Sequence, residues 1–369
     1  MRKAPVTPEI VGKTAARTIL AARGHNPLVR KGATISAPMV DALLRRGIEA
    51  IWIADDVFPE FEAREVVRHE TRELIRRSVQ EIFRRVASTK GHRQAKESLE
   101  HRLADAVRKL VEEVSSNEDV VANIGRVRAW DNYTFEHSVQ VATMSVVIGK
   151  RMLMTEDQLV RLGTGAILHD VGKVTVPQEI LQKPGPLTSE EFEVIKTHAR
   201  NGWDIVHQGF QNIMPTSSIV VLQHHERLDG SGYPQGLKGD DIYLFSKITA
   251  VADVLDAVRA ERTYRANHRP ADVLRIMLQD AGVKLDASAV QIALRHVALV
   301  SEGEIVRLTN GQVGMVTGLN AGEPLQPLVT VVGDDLDMPV PREELDLRGT
   351  ELQIADILEN WPPGLAQRV

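Results

Sequence analysis

Length, composition and charge limit what this chain can be. Its 369 residues suffice for two or three domains, and 43% are hydrophobic and 26% charged, as in ordinary globular proteins. The absence of cysteine excludes disulfides, thiolate metal ligands and cysteine nucleophiles. A net charge of -5 gives no reason to expect DNA binding. Because no apolar stretch suits a signal peptide or a membrane span, we predict a cytoplasmic protein.

The first two segments differ in their patterns. Residues 1–56 carry short β-rich runs, a helix near 37–47 and an apolar strand at 50–53, which predicts a small α+β module with a regulatory role. Residues 57–124 place apolar residues among charges at helical spacing, with Gly91 as the expected break. This pattern predicts a helical connector packed on its neighbours. A signalling or dimerisation helix, and with it a homodimer, is the alternative.

The third segment, residues 125–298, is predicted to be all-helical. Two of its helix starts match the capping-box pattern, in which a threonine is followed three positions later by glutamine or glutamate. These pairs are Thr155 with Gln158 and Thr188 with Glu191. Such a pair satisfies backbone N–H groups that a helix start leaves without partners.

The last segment, residues 299–369, changes to period-two alternation. It predicts strands over 304–308, 313–316 and 328–332, with an Asn-Gly turn at 310–311 joining the first two. The segment therefore reads as a small β extension followed by a C-terminal tail. It contains no grouping of chemically reactive residues.

The chemistry concentrates in residues 125–298. Asp253 is embedded in an apolar run, where a carboxylate is costly to bury unless it is paired or binds a metal. A helix-core ion pair is the alternative for this residue. Asp170 directly follows a histidine that belongs to a set placed where helices begin, end or meet a glycine. The set comprises His137, His169, His198, His224 and His225.

These residue types indicate a metal centre. Imidazole and carboxylate ligands without thiolate suit Fe, Mn, Co or Zn. Five histidines and two aspartates exceed the ligands of a mononuclear site, so a pair of metal ions that activates water for displacement at phosphorus is the simpler interpretation. Asp170 is the natural bridge because a carboxylate offers two oxygens. Lys173 is spaced to place a cation on a phosphate oxygen, and an ordinary surface lysine is the alternative.

The motifs resemble those of the HD-GYP family of the HD phosphohydrolase superfamily. The resemblance covers roughly residues 125–297, and its motifs are long and ordered. They are Tyr-Thr-Phe-Glu-His-Ser at 133–138, His-Asp at 169–170 with Gly-Lys at 172–173, Lys-Pro-Gly at 183–185, His198, the run 224–239 with Gly-Tyr-Pro at 232–234, and Val-Ala-Asp at 251–253.

The resemblance implies a fold and an activity. The fold is mainly α, with an HD-type all-helical catalytic domain at 125–298, preceded by the small α+β N-terminal module and helical connector and followed by the small β extension. The implied reaction is hydrolysis of the bacterial second messenger cyclic di-GMP to linear pGpG, and in some members on to GMP. The implied cofactors are two divalent metal ions, iron or manganese.

The resemblance also assigns site residues. One metal ion would be held by His137, His169, Asp170 and Asp253, and the other by Asp170, His198, His224 and His225. Asp170 and Lys173 would be the catalytic residues, with Lys173 also contacting phosphate. The further substrate contacts would be Tyr233, Asp256, Arg262 and Arg265. A guanidinium suits a phosphate or a guanine edge, and a solvated basic helix end is the alternative for the two arginines.

Two features leave alternatives open. The glycine-rich segment at 230–234 shapes the substrate pocket through Tyr233, contacts diguanylate cyclase domains, or is a purely structural turn. Family members with a third metal ion have a glutamate where this chain has Tyr133, which favours two metal ions here and weakens the expectation of complete conversion to GMP.

Two alternative functions also stay open. One is a phosphohydrolase of another nucleotide, and the other is a non-catalytic effector that binds cyclic di-GMP or a cyclase.

Overall fold

The computed structural model describes residues 1–20, 27–46, 48, 50–64, 66–87, 93–116, 130–183, 185–261 and 270–366. Its α-helices are α1 (Ala37–Leu44), α2 (His69–Ala87), α3 (Arg93–Ser116), α4 (Trp130–Arg151), α5 (Glu156–Leu168), α6 (Gln178–Leu181), α7 (Ser189–Gly209), α8 (Pro215–Gln223), α9 (Leu244–Glu261), α10 (Pro270–Asp280), α11 (Ala287–His296) and α12 (Pro363–Ala366). Its strands are β1 (Arg2–Pro5), β2 (Ile19–Leu20), β3 (Pro27–Val29), β4 (Ala50–Ile53), β5 (Ile305–Leu308), β6 (Val313–Gly318), β7 (Leu328–Gly333), β8 (Pro339–Asp346) and β9 (Ile354–Leu358). The prediction of a mainly α fold is confirmed.

The N-terminal residues form a small α+β unit with its own core. Strand β1 pairs antiparallel with β4, and β2 pairs antiparallel with β3. Helix α1 begins after Ser36 with Pro38 in its first turn, where proline leaves no hydrogen bond unmade. Its buried Leu43 packs in a cluster with Ile10, Ile53 and other apolar side chains of this unit.

Helices α2 and α3 lie in the segment that the sequence predicts to be a helical connector. Their apolar faces, which include Ile75, Val79, Leu103 and Leu110, are buried in the same hydrophobic cluster as side chains of α4 and α5. Fully burying each such side chain stabilises a fold by roughly 1.5–3 kcal/mol. The connector is thus part of the core on which the site is built. Its predicted break, Gly91, lies outside the described residues, and the predicted domain boundaries stay predictions.

The helices that surround the site begin where the capping boxes predict. In α5, Thr155 Oγ1 accepts the backbone N–H of Gln158 at 3.3 Å, and the glutamine side chain reciprocates. In α7, Thr188 Oγ1 accepts the N–H of Glu191 at 3.2 Å, again reciprocally. Helix α5 packs against α4 and α8, and α9 packs against both of these as well.

Close packing of α7 depends on a glycine. The short 3-10 turn Val171–Thr175 packs against α7. A Cβ atom on Gly172 would overlap the carbonyl oxygen of His198 and the backbone nitrogen of Gly202. Any larger side chain would push the turn and the helix apart. Gly172 therefore lets His198 approach Asp170.

The C-terminal residues form a five-stranded antiparallel sheet in the order β8-β7-β6-β5-β9. The three predicted strands are confirmed as β5, β6 and β7, and Gly311 has a φ of +90° in the predicted turn. The two edge strands β8 and β9 were not predicted. The sheet packs on Phe58, whose ring stacks on Trp361 with centroids 5.9 Å apart. Among the described helices, none is long and apolar enough to cross a membrane.

Candidate metal centre

Five helices bring the predicted metal ligands together. Three ligands lie within a helix, and the other four occupy the first two positions after the end of one. In chain order they are His137 on α4, His169 and Asp170 after α5, His198 on α7, His224 and His225 after α8, and Asp253 on α9. All are buried except His225, which is half-buried.

The ligand atoms form two groups, within each of which they all lie within 4.8 Å of one another. Both groups combine imidazole with carboxylate, a donor set that suits divalent transition metals. The first group is His137, His169 and Asp253, and the second is Asp170, His198, His224 and His225. The structure therefore assembles every predicted ligand into one of two adjacent groups that could each hold a metal ion.

Asp170 lies between the two groups and turns one oxygen to each. Its Oδ2 is 3.3 Å from Nε2 of His169 and 3.8 Å from Nε2 of His137. Its Oδ1 is 3.5 Å from Nε2 of His198 and 4.0 Å from Nε2 of His224. This is the arrangement that a bridging carboxylate requires, because each oxygen faces a different set of imidazole nitrogens.

Three of the histidines are oriented by their own backbone. In His169, His198 and His224, Nδ1 lies 2.7, 2.6 and 2.9 Å from the carbonyl oxygen three residues earlier. A carbonyl oxygen only accepts, so each Nδ1 carries the proton and donates it. With Nδ1 held in this way, each ring turns its Nε2 to the centre, which is the orientation that metal-binding histidines adopt.

The opposed rings of His198 and His224 show that the centre suits a cation. Their Nε2 atoms lie 3.2 Å apart. Burial lowers the pKa of both side chains, so neither ring carries a second proton at neutral pH. Two lone pairs therefore face each other at hydrogen-bonding distance without a proton between them. A metal ion bound by both nitrogens removes this repulsion, and the residues fit one.

His137 is held in a different way. Its Nδ1 lies 2.7 Å from Oδ2 of Asp256, and its Nε2 lies 3.1 Å from Oδ1 of Asp253. Burial alone lowers the pKa of His137, but the hydrogen bonds to these two carboxylates outweigh it and raise the pKa to about 10. The metal-free ring is therefore an imidazolium at neutral pH, with a proton where a metal ion would bind.

Charge at the centre is concentrated around Asp170. Burial opposes its ionisation, but His169 and Lys173 hold the pKa of its carboxyl well below the ordinary value. Nζ of Lys173 lies 2.7 Å from Oδ2 of Asp170, and the lysine side chain is partly exposed. The predicted lysine is thus at the centre, beside the candidate bridge, with a path to solvent.

Hydrogen bonds to Glu226 hold the glycine-rich segment beside the second ligand group. Glu226 is buried, and its two carboxylate oxygens accept the backbone N–H groups of Gln235 at 2.7 Å and Leu237 at 2.9 Å. A Cβ on Gly232 would overlap the backbone between His225 and Arg227, so only glycine allows the chain to pass there. Tyr233 consequently lies with its ring centroid 4.6 Å from that of His225.

The other predicted substrate contacts have different outcomes. Asp256 is buried and its partner is His137, a protein contact that the sequence did not predict. Arg262 and Arg265 lie outside the described residues, as does the side chain of Tyr133. Contact of any of these residues with a substrate stays a prediction.

Comparison with known proteins gives the family. The family model described as HD domain matches residues 97–289, which is more than half of the chain. The chain belongs to the HD domain family. The HD-GYP resemblance that the motifs carry is confirmed by this match together with several curated relatives that are named cyclic di-GMP phosphodiesterases.

Three similar proteins illustrate this membership. A cyclic di-GMP phosphodiesterase of Pseudomonas aeruginosa is 32% identical over 246 residues, covering 64% of this chain and 58% of the relative. A 3'3'-cGAMP-specific phosphodiesterase of Vibrio cholerae serotype O1 is 35% identical over 191 residues, covering 50% of this chain and 42% of the relative. The chain thus spans about half the length of these relatives. A solved HDG"Y"P protein from Bdellovibrio bacteriovorus has a TM-score of 0.50 at 16% identity, covering 79% of this chain and 98% of that one, and supports the fold.

Three residues near the centre were given no role by the sequence. Glu226 belongs to the His-His-Glu run. Its position between the ligand histidines and a glycine-rich turn is a signal that could have predicted its hydrogen bonds to the backbone of that turn. Phe192 and Lys196 lie on α7 beside Tyr233. Nothing in the local pattern distinguishes these two from other residues on the solvent side of an amphipathic helix, so only the fold reveals them.

Proposed function

We propose that this chain is a metal-dependent phosphodiesterase that hydrolyses cyclic di-GMP to linear pGpG. The carrying observation is the pair of adjacent ligand groups, together with the Asp170 carboxylate, which turns one oxygen to the histidines of each group. Curated relatives named as cyclic di-GMP phosphodiesterases support this substrate. The seven predicted ligands would hold two divalent ions, which when bound supply a nucleophile from water at neutral pH and stabilise charge on the phosphate oxygens.

The protein's own residues position these ions and the substrate. Asp170 would hold both ions, and its low pKa keeps it an anion across the physiological range. Asp256 would orient His137 through Nδ1, as carboxylates do for metal-binding histidines. Lys173 reaches the same carboxylate oxygen and would place its cation on a non-bridging phosphate oxygen, where charge develops.

Iron or manganese is the proposed metal. Both accept mixed imidazole and carboxylate ligands, and the chain has no thiolate to favour a softer ion.

We further propose that Tyr233 lines the substrate pocket and that Arg262 and Arg265 contact the substrate. The cytoplasm as location, the homodimer, and contact of the segment at 230–234 with diguanylate cyclase domains are proposed on the sequence alone.

The decisive test is hydrolysis by protein of known metal content. Protein loaded with Fe or Mn under reducing conditions should convert cyclic di-GMP to pGpG. Chromatography of the products measures this conversion. Asp170→Ala should retain its helical circular dichroism and lose turnover. Wild-type protein with two bound ions and no turnover would contradict the proposal.

A second candidate substrate follows from the comparisons. Some relatives are named 3'3'-cGAMP-specific phosphodiesterases, so a hybrid cyclic dinucleotide is the nearest alternative. Measuring kcat/KM for cyclic di-GMP, 3'3'-cGAMP and cyclic di-AMP side by side separates the two. A higher value for 3'3'-cGAMP would replace the proposed substrate but keep the reaction.

A further inference from the structure

Two aromatic rings and a cation form a corner beside the second ligand group. Phe192 on α7 sets its ring edge-on to Tyr233, with centroids 6.3 Å apart and an interplanar angle of 85°. The Tyr233 ring lies 4.6 Å from the ring of His225 and 6.3 Å from that of His198, measured between centroids. We call Phe192, Lys196 and Tyr233 the aromatic corner.

Lys196 places a positive charge inside this corner. Its Nζ is 5.4 Å from the ring centroid of Phe192 and 5.9 Å from that of Tyr233. Its carboxylate partner, Glu193, lies one turn earlier on α7 and is largely exposed. The lysine side chain is 26% exposed, so the pair is in contact with solvent and contributes little to stability, and the ammonium can turn from Glu193 to an acceptor on a ligand at small cost.

Phe192 has no evident role in the hydrophobic core. It is 46% exposed and belongs to none of the hydrophobic clusters formed by the described residues. Its ring is nevertheless held next to Tyr233, which itself packs on a candidate metal ligand. A flat apolar face open to solvent, one ring away from the ligand histidines, is a surface on which part of a substrate can rest.

We propose that the aromatic corner binds a guanine base of the substrate, with the base stacked on an aromatic ring and Lys196 donating to guanine O6 and N7. This inference rests on the proposed function. Nucleic-acid bases stack on aromatic side chains regardless of sequence. Lysine distinguishes guanine, which presents two acceptors at this edge, from adenine, which presents an amino donor beside N7. The corner thus combines base binding with selection of guanine.

Phe192→Ala tests the stacking. The KM for cyclic di-GMP and the competitive inhibition constant for GMP should both rise roughly 5- to 150-fold, the range for loss of one stacked base at a tenfold change per 1.4 kcal/mol. The kcat and the bound metal should be unchanged. Leu278→Ala removes another exposed apolar side chain, 56% exposed on α10, and is the matched control. An unchanged KM, loss of metal, or an equal change in the control overturns the inference.

Lys196→Met tests the selection of guanine. This variant keeps a long side chain and removes the cation. The ratio of kcat/KM for cyclic di-GMP to that for cyclic di-AMP should fall roughly 5- to 150-fold, the discrimination of one lysine–guanine contact. An unchanged ratio overturns the assignment of the base as guanine.

A direct titration separates this inference from the proposed function. If wild-type protein hydrolyses no cyclic dinucleotide, the proposed function fails by itself. Titration of GMP into the metal-loaded wild-type protein and into metal-loaded Phe192→Ala then compares their affinities for GMP, which tests the aromatic corner alone. Tighter binding by wild type supports the corner, and equal affinities overturn it.

Discussion

Asp55 and Asp170 are both buried carboxylates, yet their surroundings differ. Asp55 Oδ1 accepts the backbone N–H groups two and three residues later, at 2.9 and 2.8 Å. Its Oδ2 accepts the indole N–H of Trp361 at 3.0 Å and pairs with Arg2 at 3.0 Å. Both oxygens of Asp55 thus have protein partners, and the carboxylate links Arg2 of β1 to Trp361, which packs in one cluster with side chains of the C-terminal sheet.

Asp170 has a less complete set of partners. Among the described residues its one short contact is with Lys173 at 2.7 Å, and the four imidazole nitrogens around it lie 3.3–4.0 Å away. Burial therefore does not distinguish a structural carboxylate from a functional one. The difference lies in whether the protein itself completes the hydrogen bonds, because an incomplete buried site is costly unless a ligand completes it.

The largest expected effect is on activity in Asp170→Ala. Removing a residue that only hydrogen-bonds to a metal ligand costs about 10–100-fold in metal affinity or activity. Removing Asp170, which would itself bind both ions, should therefore lower kcat by more than ~100-fold. Steady-state kinetics and elemental analysis measure this. Asp170→Asn, which keeps the size and removes the charge, should be similarly impaired. Turnover within about tenfold of wild type would remove Asp170 from the centre.

Asp55→Ala should show the opposite pattern. Removing one partner of a buried ion pair costs about 3–5 kcal/mol because the other charge is left uncompensated. We expect that loss in urea unfolding, with kcat per folded molecule unchanged. Asp56→Ala is the matched control, since Asp56 pairs with Lys13 on the surface and should cost about 1 kcal/mol or less. Equal losses in the two variants would contradict the structural role.

Metal loading should stabilise the protein through Asp170 and not through Asp55. Manganese at about 100 times its dissociation constant should raise the free energy of unfolding by about 2.7 kcal/mol. Asp55→Ala should show the same increment from its lower baseline, and Asp170→Ala should show little. Thermal unfolding with and without metal measures the increments. An undiminished increment in Asp170→Ala would place the metal elsewhere.

Metal binding should release a proton from His137. Its pKa of about 10 in the metal-free fold lies above the ordinary 6.5, so the proton stabilises that fold fully below pH 6.5, and this contribution is lost as pH rises towards 10. Metal affinity should accordingly rise about tenfold per pH unit between 7 and 9, or about 1.4 kcal/mol. Calorimetry in buffers of different ionisation enthalpy counts the proton. Asp256→Asn should reduce the number of protons released on metal binding. A metal affinity that does not change with pH would contradict the release of a proton from His137.

The smallest effect tests whether local capping matters to the centre. Thr155→Ala removes the cap of α5, whose other end carries His169 and Asp170, and should cost about 1 kcal/mol of stability. Turnover per folded molecule should stay at the wild-type value because packing, not the cap, holds the end of the helix. Thr188→Ala on α7 should behave in the same way. A loss of kcat in either variant would show that the cap sets the ligand geometry.

Much of this fold follows from local patterns, and the exceptions have physical reasons. The capping boxes and the Asn-Gly turn depend on residues within three positions of each other, so the sequence displays them. Strand β8 was missed because it is an edge strand with two prolines and mostly exposed side chains, and so lacks alternating hydrophobicity. Strand β9 is short and lies at the other edge.

The sequence by itself determined the identity of the candidate ligands, because their residue types and spacing are local properties of five helices. The tertiary structure decided how they are used. Only packing shows that Asp170 faces both groups, that Asp256 holds His137, and that Phe192 lies beside Tyr233. Each of these contacts joins residues on different elements. Their distances are set by how helices pack, and no spacing along a chain encodes them.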